Sequence, residues 1–333
     1  MTELNRQVLL ASRPEGKPTE SNFRIKDSPL PSLGEGQVLV RNQWLSIDPY
    51  MRGRMMDIRT YAEPVALGDV MVGDTAGVVV ESRHPDFTAG DAVAGHLGWQ
   101  RFGAIDGSLL RKVDTTRVPL SAGLGVAGMP GVTAYVGLID LCAPQVGETV
   151  VVTAAAGGIG SVAGQLARLA GCRVVGVAGG ADKCRHVVDE LGFDACIDYK
   201  AADFKASLKA ALPDGVNCIF DNVGGEVLDA LLARLRPGAR ITLCGAISEV
   251  DNPSPHGIRR LLPLIVNRVK VQGFIVGDHP ERWAPAIDEL SGHVAAGRIH
   301  FRETVAEGLD AAPRALIDLL AGRSLGKQLV RIL

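Results

Sequence analysis

Hydrophobic residues change their spacing about a third of the way along the chain. Before residue 125 they tend to alternate with polar ones in short runs. Gln7-Val-Leu-Leu-Ala11 alternates weakly, Gly36 to Ser46 is a strong strand pattern, and Val70 to Glu81 is a glycine-punctuated strand. Phe87 to Ala94 places a turn before another strand, and Trp99 to Lys112 continues the pattern. No strict alternation of strand and helix accompanies these runs, so they predict a compact β-barrel-like domain with a few short helices. One helix start stands out at Asp48-Pro49-Tyr50-Met51-Arg52. Asp48 suits the N-cap and Pro49 the first helical position. Arg52, four residues on, pairs with or caps Asp48 in the simpler reading and clamps a substrate carboxylate in the sharper one.

From Leu124 the pattern is different. Met129-Pro130-Gly131 breaks the chain and residues 132–140 read as a helix. Strands at 149–153, 173–178, 195–198, 217–221 and 239–243 then alternate with helices at 161–170, 183–191, 204–211 and 226–235. A sixth strand is expected at 269–276, and a helix at 281–296 with Asp278 as its cap. That order predicts a doubly wound parallel sheet. The tail offers a short segment at 301–305, a helix at 313–321 and a strand at 328–333 that is expected to rejoin the first domain. The divisions are 1–125, 126–298 and 299–333.

The first strand of the second region runs into Gly158-x-Gly160-x-x-Ala163, the dinucleotide fingerprint in its G/A form. In that fingerprint Gly158 permits the tight turn, Gly160 lets backbone approach a pyrophosphate, and Ala163 allows close helix–strand packing. The following helix start presents free N–H groups to phosphate. The next strand ends about 20 residues after the first fingerprint glycine, where an NAD site carries Asp or Glu for the ribose 2′-hydroxyl. Here stand Ala178-Gly179-Gly180 and then Ala181-Asp182-Lys183. Small residues leave room for a 2′-phosphate and Lys183 supplies the countercharge, which points to NADP(H). The alternative makes Asp182 the displaced acid and Lys183 a solvated helix residue.

Composition narrows the partners. The 333 residues suffice for two domains, with 47% hydrophobic and 22% charged residues. A net charge of −2 without long runs of one sign gives nucleic acid or an anionic membrane no electrostatic support. The start of the chain lacks a signal-peptide pattern. Two long uncharged stretches, 118–139 and 149–167, are glycine- and alanine-rich and fit buried α/β elements better than a bilayer. The six cysteines form no CxxC and no zinc-ribbon spacing, which predicts reduced thiols in the cytoplasm. Cys184 or Cys244 is reactive in one reading and simply a small buried residue in the other.

Several motifs then converge. Trp44 to Gly53, Gly128 to Tyr135, Ala154 to Ser161, Phe220-Asp-Asn-Val-Gly-Gly225 and Cys244-Gly-Ala-Ile-Ser248 together resemble the medium-chain dehydrogenase/reductases. More narrowly, the chain is similar to their zinc-free group of prostaglandin, alkenal/one and curcumin reductases, from about Trp44 to Val330. The resemblance implies an α/β fold in which a Rossmann-type doubly wound sheet is inserted into a β-rich, GroES-like catalytic domain. It also implies NADPH-dependent reduction of the activated C=C of an enal or enone, with quinone reduction or a non-enzymatic NADPH-binding role as alternatives, and a homodimer. Carried over by position, Gly157, Gly158, Ile159 and Gly160 would meet the pyrophosphate. Gly179, Lys183 and Tyr199 would surround the 2′-phosphate. Pro49, Met129, Thr133, Asn222, Cys244, Gly245, Ala246, Ile247, Ser248, Phe274, Ile275, Val276 and Ser324 would complete the cofactor set.

Two positions depart from the family pattern. Ser324 precedes Leu-Gly-Lys327 where relatives commonly have Asn, and no tyrosine lies in residues 258–272. Zinc-dependent members carry Gly-His-Glu where this chain has Gly73-Asp74-Thr75, and the four-cysteine lobe is missing, so no metal is expected. Reduction of an enone leaves charge on its oxygen, which the protein must stabilise. Among four tyrosines, Tyr199 is assigned to the phosphate and Tyr135 to packing, which leaves Tyr61, in a loop, and Tyr50 as candidate catalytic donors. His84, His96, His256 and His279 show no carboxylate partner in the sequence.

Overall fold

The computed structural model describes residues 3–251 and 254–332. The chain divides into two compact units, one running to Gly125 and resuming at Glu303, the other Val126–Arg302. In the first unit β1 (Leu4–Leu10) and β2 (Phe23–Pro29) form an antiparallel pair with Val8 opposite Ile25. The sequence pattern did not show β2, because only Phe23 among its seven residues is buried and no alternation results. β3 (Gln37–Ser46), the short α1 (Tyr50–Arg54), β4 (Thr75–Ser82), β5 (Ala92–Gly95), β6 (Phe102–Asp106) and β7 (Arg111–Lys112) follow.

The second unit opens with α2 (Met129–Tyr135), which widens into a π-helical turn over Val136–Cys142. The expected helix at 132–140 therefore begins three residues earlier. Pro130 belongs to its first turn, where a missing N–H costs nothing. Then come β8 (Thr149–Thr153), α3 (Gly160–Leu169), β9 (Arg173–Ala178), α4 (Ala181–Asp189), β10 (Ala195–Asp198), α5 (Phe204–Ala211), β11 (Val216–Asp221), α6 (Gly225–Leu231) and β12 (Leu235–Leu243). α7 (Leu261–Val266), β13 (Lys270–Gly273) and α8 (Pro280–Ala295) complete it. The six strands form one parallel sheet in the order β10-β9-β8-β11-β12-β13. Counted from β8, that is 3-2-1-4-5-6, the doubly wound order with its reversal between β8 and β11. Val151, Val175, Val177, Ile219, Leu231 and Ile241 form its core, and burying each such side chain contributes roughly 1.5–3 kcal/mol. The sixth strand is shorter than expected and Asp278 is not a cap, since His279 occupies that position.

The chain then returns to the first unit with β14 (Glu303–Glu307), α9 (Ala312–Leu320) and β15 (Lys327–Arg331). The last strand was expected to run to Leu333, which lies outside the described residues. β15 pairs in parallel with β14 and antiparallel with β3, so it is interior to a sheet ordered β14-β15-β3-β4-β5-β7, with β6 also on β3. Trp99, fully buried, stacks on Phe23 at 5.5 Å, and Leu10, Met51, Leu316 and Val330 pack in the same cluster.

Candidate functional site

The carboxyl ends of β8 and β11 are tied together where the sheet order reverses. Thr153, the last residue of β8, is fully buried and donates its hydroxyl to Asp221 Oδ1 at 2.7 Å. The same hydroxyl oxygen accepts the backbone N–H of Asn222 at 2.8 Å, and Asn222 Nδ2 donates to the Thr153 carbonyl at 2.8 Å. Asp221 also accepts the N–H of Gly224 at 2.9 Å, yet burial pushes its carboxyl above the usual carboxylate range. Behind it, the Cys244 N–H donates to the Asp221 carbonyl, the Ile247 N–H to that of Asn222 and the Ser248 hydroxyl to that of Val223. The Cys244–Ser248 loop, Gly245 and Ala246 included, is therefore stitched to the end of β11. Burial pushes the Cys244 thiol up to about 12, so it is held as a thiol. The Cys184 thiol is likewise raised by burial.

The glycine turn sits at the other side of β8. Its left-handed residue is Ala154, with φ of 50°. Gly157 N–H closes the turn onto the Ala154 carbonyl at 2.9 Å, and Ser161 N–H follows onto Gly157. A Cβ on Gly160 would lie 2.4 Å from the Ala154 carbonyl oxygen. The loop's own backbone thus demands glycine there, whatever binds above it. Gly157, Gly158 and Ile159 are half-buried and line the turn, whereas Ala163 is fully buried beneath it.

At the end of β9, Gly180 adopts φ of 102° and opens α4. Its N–H donates to Asp198 Oδ1 at 2.8 Å, and the Lys200 N–H donates to the same oxygen at 2.9 Å. Tyr199 N–H donates to the Ala178 carbonyl at 3.1 Å. A Cβ on Gly179 would meet the Tyr199 ring at 2.9 Å and Lys200 Cε at 3.0 Å, so both side chains fold over that glycine. Lys183, half-buried on α4, is held below the usual lysine range by burial and by the Lys200 ammonium. Asp182 is paired with Arg185 instead, which disfavours it as the displaced ribose acid. The structure brings Gly179, Lys183 and Tyr199 together as expected and adds Lys200. Sequence reading passed over Lys200 because no spacing rule reaches the end of the third strand.

The remaining expected residues of this unit spread over two more elements. Thr133 spends its hydroxyl on the Met129 carbonyl at 2.7 Å, one turn back within α2. Phe274 is half-buried, and a Cβ on Gly137 would lie 2.7 Å from its ring. That close approach is the packing role of a core aromatic. Ile275 is 38% exposed, and Val276 accepts a bond from the Trp283 indole at 3.3 Å. Tyr135 donates to Glu289 at 2.7 Å, in keeping with a packing role.

In the first unit Asp48 is not the helix cap; Pro49 holds that position. Asp48 is buried and takes Lys327 Nζ at 2.9 Å together with the Ser46 hydroxyl. Lys327 also donates to the carbonyls of Ile47 at 2.7 Å and Gln328 at 3.0 Å. Arg52 is buried and donates to the Gly16 carbonyl at 2.7 Å. Tyr50 opens α1, half-buried. Burial, the Asp74 and Asp48 carboxylates and neighbouring Tyr61 hold its phenol well above the usual tyrosine range. Tyr61 is 60% exposed beside Arg54. His96 does have a carboxylate partner, Asp74, at 2.8 Å from its Nδ1. His84, His256 and His279 approach carboxylates only at 3.9–4.0 Å. Ser324 is buried at the turn before β15.

Among the described residues no group of three or more His, Cys, Asp or Glu side chains is placed to hold a metal ion. No helix among them is long and apolar enough to cross a membrane. Residues 6–113 match the family described as the N-terminal domain of oxidoreductase, and residues 158–292 the family described as zinc-binding dehydrogenase. The chain is 46% identical to the NADPH-dependent curcumin reductase of Escherichia coli, over 98% of this chain and 97% of that one. It is 40% identical to a 2-alkenal reductase (NADP(+)-dependent) of Nicotiana tabacum, with 98% and 97% covered. The crystal structure of CurA in complex with NADPH from Vibrio vulnificus superposes with a TM-score of 0.93 at 45% identity, covering 98% of this chain and 99% of that one.

Proposed function

The chain belongs to the zinc-free medium-chain dehydrogenase/reductase group, and from that premise we propose that it is an NADPH-dependent reductase of the activated C=C bond in α,β-unsaturated aldehydes and ketones. The observation that carries the cofactor assignment is the end of β9. There Ala178 and Gly179 stand where an NAD site needs an acid, with Lys183 following on α4 and Tyr199, from the end of β10, lying against Gly179. The residues present fit the cofactor in two further respects. The 3-2-1-4-5-6 order puts a crevice at the ends of β8 and β11, and the Gly157–Gly160 turn leads into a helix start suited to a pyrophosphate. Asn222 and the Cys244–Ser248 loop would border the rest of the dinucleotide, with Met129, Thr133 and Phe274–Val276 as further contacts from their own elements. Pro49 and Ser324 are assigned to the cofactor by family position alone.

When bound, NADPH supplies the hydride that the β-carbon of the substrate accepts. The protein's part is to orient the substrate and to meet the charge that grows on its oxygen. Tyr61, exposed in its loop, would donate its phenolic hydrogen to that oxygen. Tyr50 would remain protonated beside Asp74 and serve as a second donor. Because Tyr50 resists ionisation, it acts as a hydrogen-bond donor rather than as a phenolate base.

The assembly we propose is a homodimer. Leu261, Leu262, Ile265 and Val266 on α7 are 60%, 68%, 71% and 59% exposed, next to β13, an edge strand whose Val271 is also exposed. An apolar helix beside an open sheet edge is a surface that natural proteins cover, and a second copy of this chain can add its own β13 there. Ile265→Glu should give a monomer in sedimentation. The six free cysteines support a reducing compartment, the cytoplasm.

NADPH oxidation with a panel of 2-alkenals, cyclic enones and quinones, with the product identified by mass, tests the activity. Enals and enones should yield saturated carbonyl compounds. Turnover of quinones alone would replace this reading with quinone reduction, and no turnover at all would leave an NADPH-binding protein.

A further inference from the structure

We propose that His96, oriented by Asp74, is the acid that delivers a proton to the α-carbon of the reduced substrate. The inference rests on the enone-reductase reading above and deepens it. That reading assigns Tyr61 and Tyr50 to the substrate oxygen, and the α-carbon still needs its proton.

Topology gathers the parts at one end of the first unit's sheet. β3 ends at Ser46 and leads into Tyr50, β4 starts just after Asp74, and β5 ends just before His96. Thr75 pairs with Gly95 in the antiparallel register, so Asp74 and His96 are the next residues out on neighbouring strands. The Ser46 N–H donates to the Asp74 carbonyl at 2.8 Å. A Cβ on Gly73 would lie 3.0 Å from the side chains of Leu45, Met51 and Trp99, members of the cluster on which Tyr50 packs. Register and packing thus set His96 and Asp74 at the same end of the sheet as Tyr50.

The chain around His96 is held on both sides. The Leu97 N–H donates to the Gly95 carbonyl at 3.1 Å, closing a three-residue turn with His96 at its centre. The Gly98 N–H donates to the Gly73 carbonyl at 2.9 Å, which ties this turn to the residue before Asp74. His96 Nδ1 lies 2.8 Å from Asp74 Oδ1. A carboxylate only accepts, so Nδ1 carries the hydrogen and Nε2 is the nitrogen left to exchange a proton. The imidazole is 47% exposed and the Asp74 side chain 28%, so solvent can recharge the ring while the carboxylate fixes its direction. Histidine is the side chain suited to giving and regaining a proton near neutral pH.

The step balances. Once the β-carbon has taken the hydride, the electron pair of the C=C bond has become that of an enolate. This pair bonds the α-carbon to the Nε2 proton of the His96 imidazolium, the N–H electrons stay on nitrogen, and the C=O bond reforms. Water then returns a proton to Nε2. One enone, one NADPH and one proton give one saturated carbonyl compound and NADP⁺.

The experiment reduces a cyclic enone that carries a methyl group on its α-carbon, so that the product is chiral there. Wild type, His96→Asn, Asp74→Asn and the double variant are compared by kcat and by the enantiomeric excess of product at early times. His96→Asn keeps an N–H for Asp74 but has no proton to give. Wild type should give one enantiomer in excess. His96→Asn should lower kcat by about tenfold or more, as expected for loss of a general acid, and should lose most of the excess, because water then protonates either face. Asp74→Asn should reduce both quantities and add little to His96→Asn. Loss of a merely structural ion pair would leave the excess intact. An unchanged excess in His96→Asn, at whatever rate, or a racemic product from wild type, overturns the proposal while the reductase reading stands. If wild type reduces no enone, that reading falls and the proposal falls with it.

Discussion

Asn222 spans the reversal of the parallel sheet: its side chain donates to the Thr153 carbonyl and its backbone N–H to the Thr153 hydroxyl, each at 2.8 Å. One residue at the end of β11 thus fixes the end of β8, the strand that leads into the glycine turn. Thr153→Val should be the costlier change at this junction. It leaves a buried Asp221 oxygen and the Asn222 N–H short of a partner, at about 1–3 kcal/mol for each group. Asn222→Ala should cost about 1 kcal/mol in stability and raise KM for NADPH. Urea unfolding and cofactor titration measure both, and a neutral Thr153→Val would show that the junction is not held in this way.

The tyrosines separate by pH. Burial and two carboxylates raise the Tyr50 pKa, so Tyr50 stays protonated through the range where an ordinary tyrosine ionises. If its hydroxyl assists turnover, the alkaline limb of kcat lies beyond that range. Asp74→Asn removes one negative neighbour and should move that limb down in pH, in part only because burial is the larger cause.

Tyr61→Phe should lower kcat on an enone by about tenfold, less than the ~10²–10³ typical of a well-shielded oxyanion donor, because Tyr61 is exposed to water. KM should change less, since the charge is greatest in the transition state. Tyr50→Phe tests the second donor in the same way. Wild-type kcat in both variants would remove the side-chain donors from the mechanism.

Lys327 and Asp48 form an ion pair with side chains only 7% and 10% exposed. Lys327→Met should destabilise the first unit by about 3–5 kcal/mol, because the Asp48 charge is left buried without its partner. Adding Asp48→Asn should recover part of the loss. Calorimetry on the single and double variants checks the coupling, and strict additivity would contradict it.

The same pair shows how far the sequence could be read. The spacing of Asp48, Pro49 and Tyr50 located the helix start to within one residue, but local rules made Asp48 its cap and offered Arg52 as its partner. The true partner comes from the last strand, 279 residues away, and no local pattern carries that information. The parallel sheet was legible because each of its strands is a short apolar run beside a helix signal. β2 was not, because its exposed positions are mostly polar and show no alternation, and neither was α7, whose six residues are apolar except for Pro263 and too few to show a helical period. Within the candidate site, the glycines and Lys183 follow from spacing, whereas Lys200 and the Asp198 tie depend on where the third strand lies in space.

Glycine positions in α3 give a packing test. A Cβ on Gly164 would lie 1.8 Å from the Phe193 ring, whereas at Gly160 the obstacle is backbone. Gly164→Ala should cost about 1–3 kcal/mol by overpacking, and Phe193→Leu in the same chain should return much of it. Gly160→Ala should have no such rescue, since the Ala154 carbonyl cannot be trimmed, and cofactor affinity should fall with it. Thermal unfolding of the three variants distinguishes a yielding side chain from an unyielding main chain.

The position of β15, between β14 and β3, has a temporal consequence. Residues 126–302 hold every strand of their own sheet and can close as soon as they are synthesised. The other unit cannot, because a strand from the middle of its sheet, β15, follows residues 126–302 in the sequence. On the ribosome, the Trp44–Ser46 end of β3, which β6 does not cover, must wait unpaired until Arg331 has emerged, and that end is where pairing with a neighbouring nascent chain would begin. Residues 4–112 therefore reach their native sheet only after residues 126–302 are free to close.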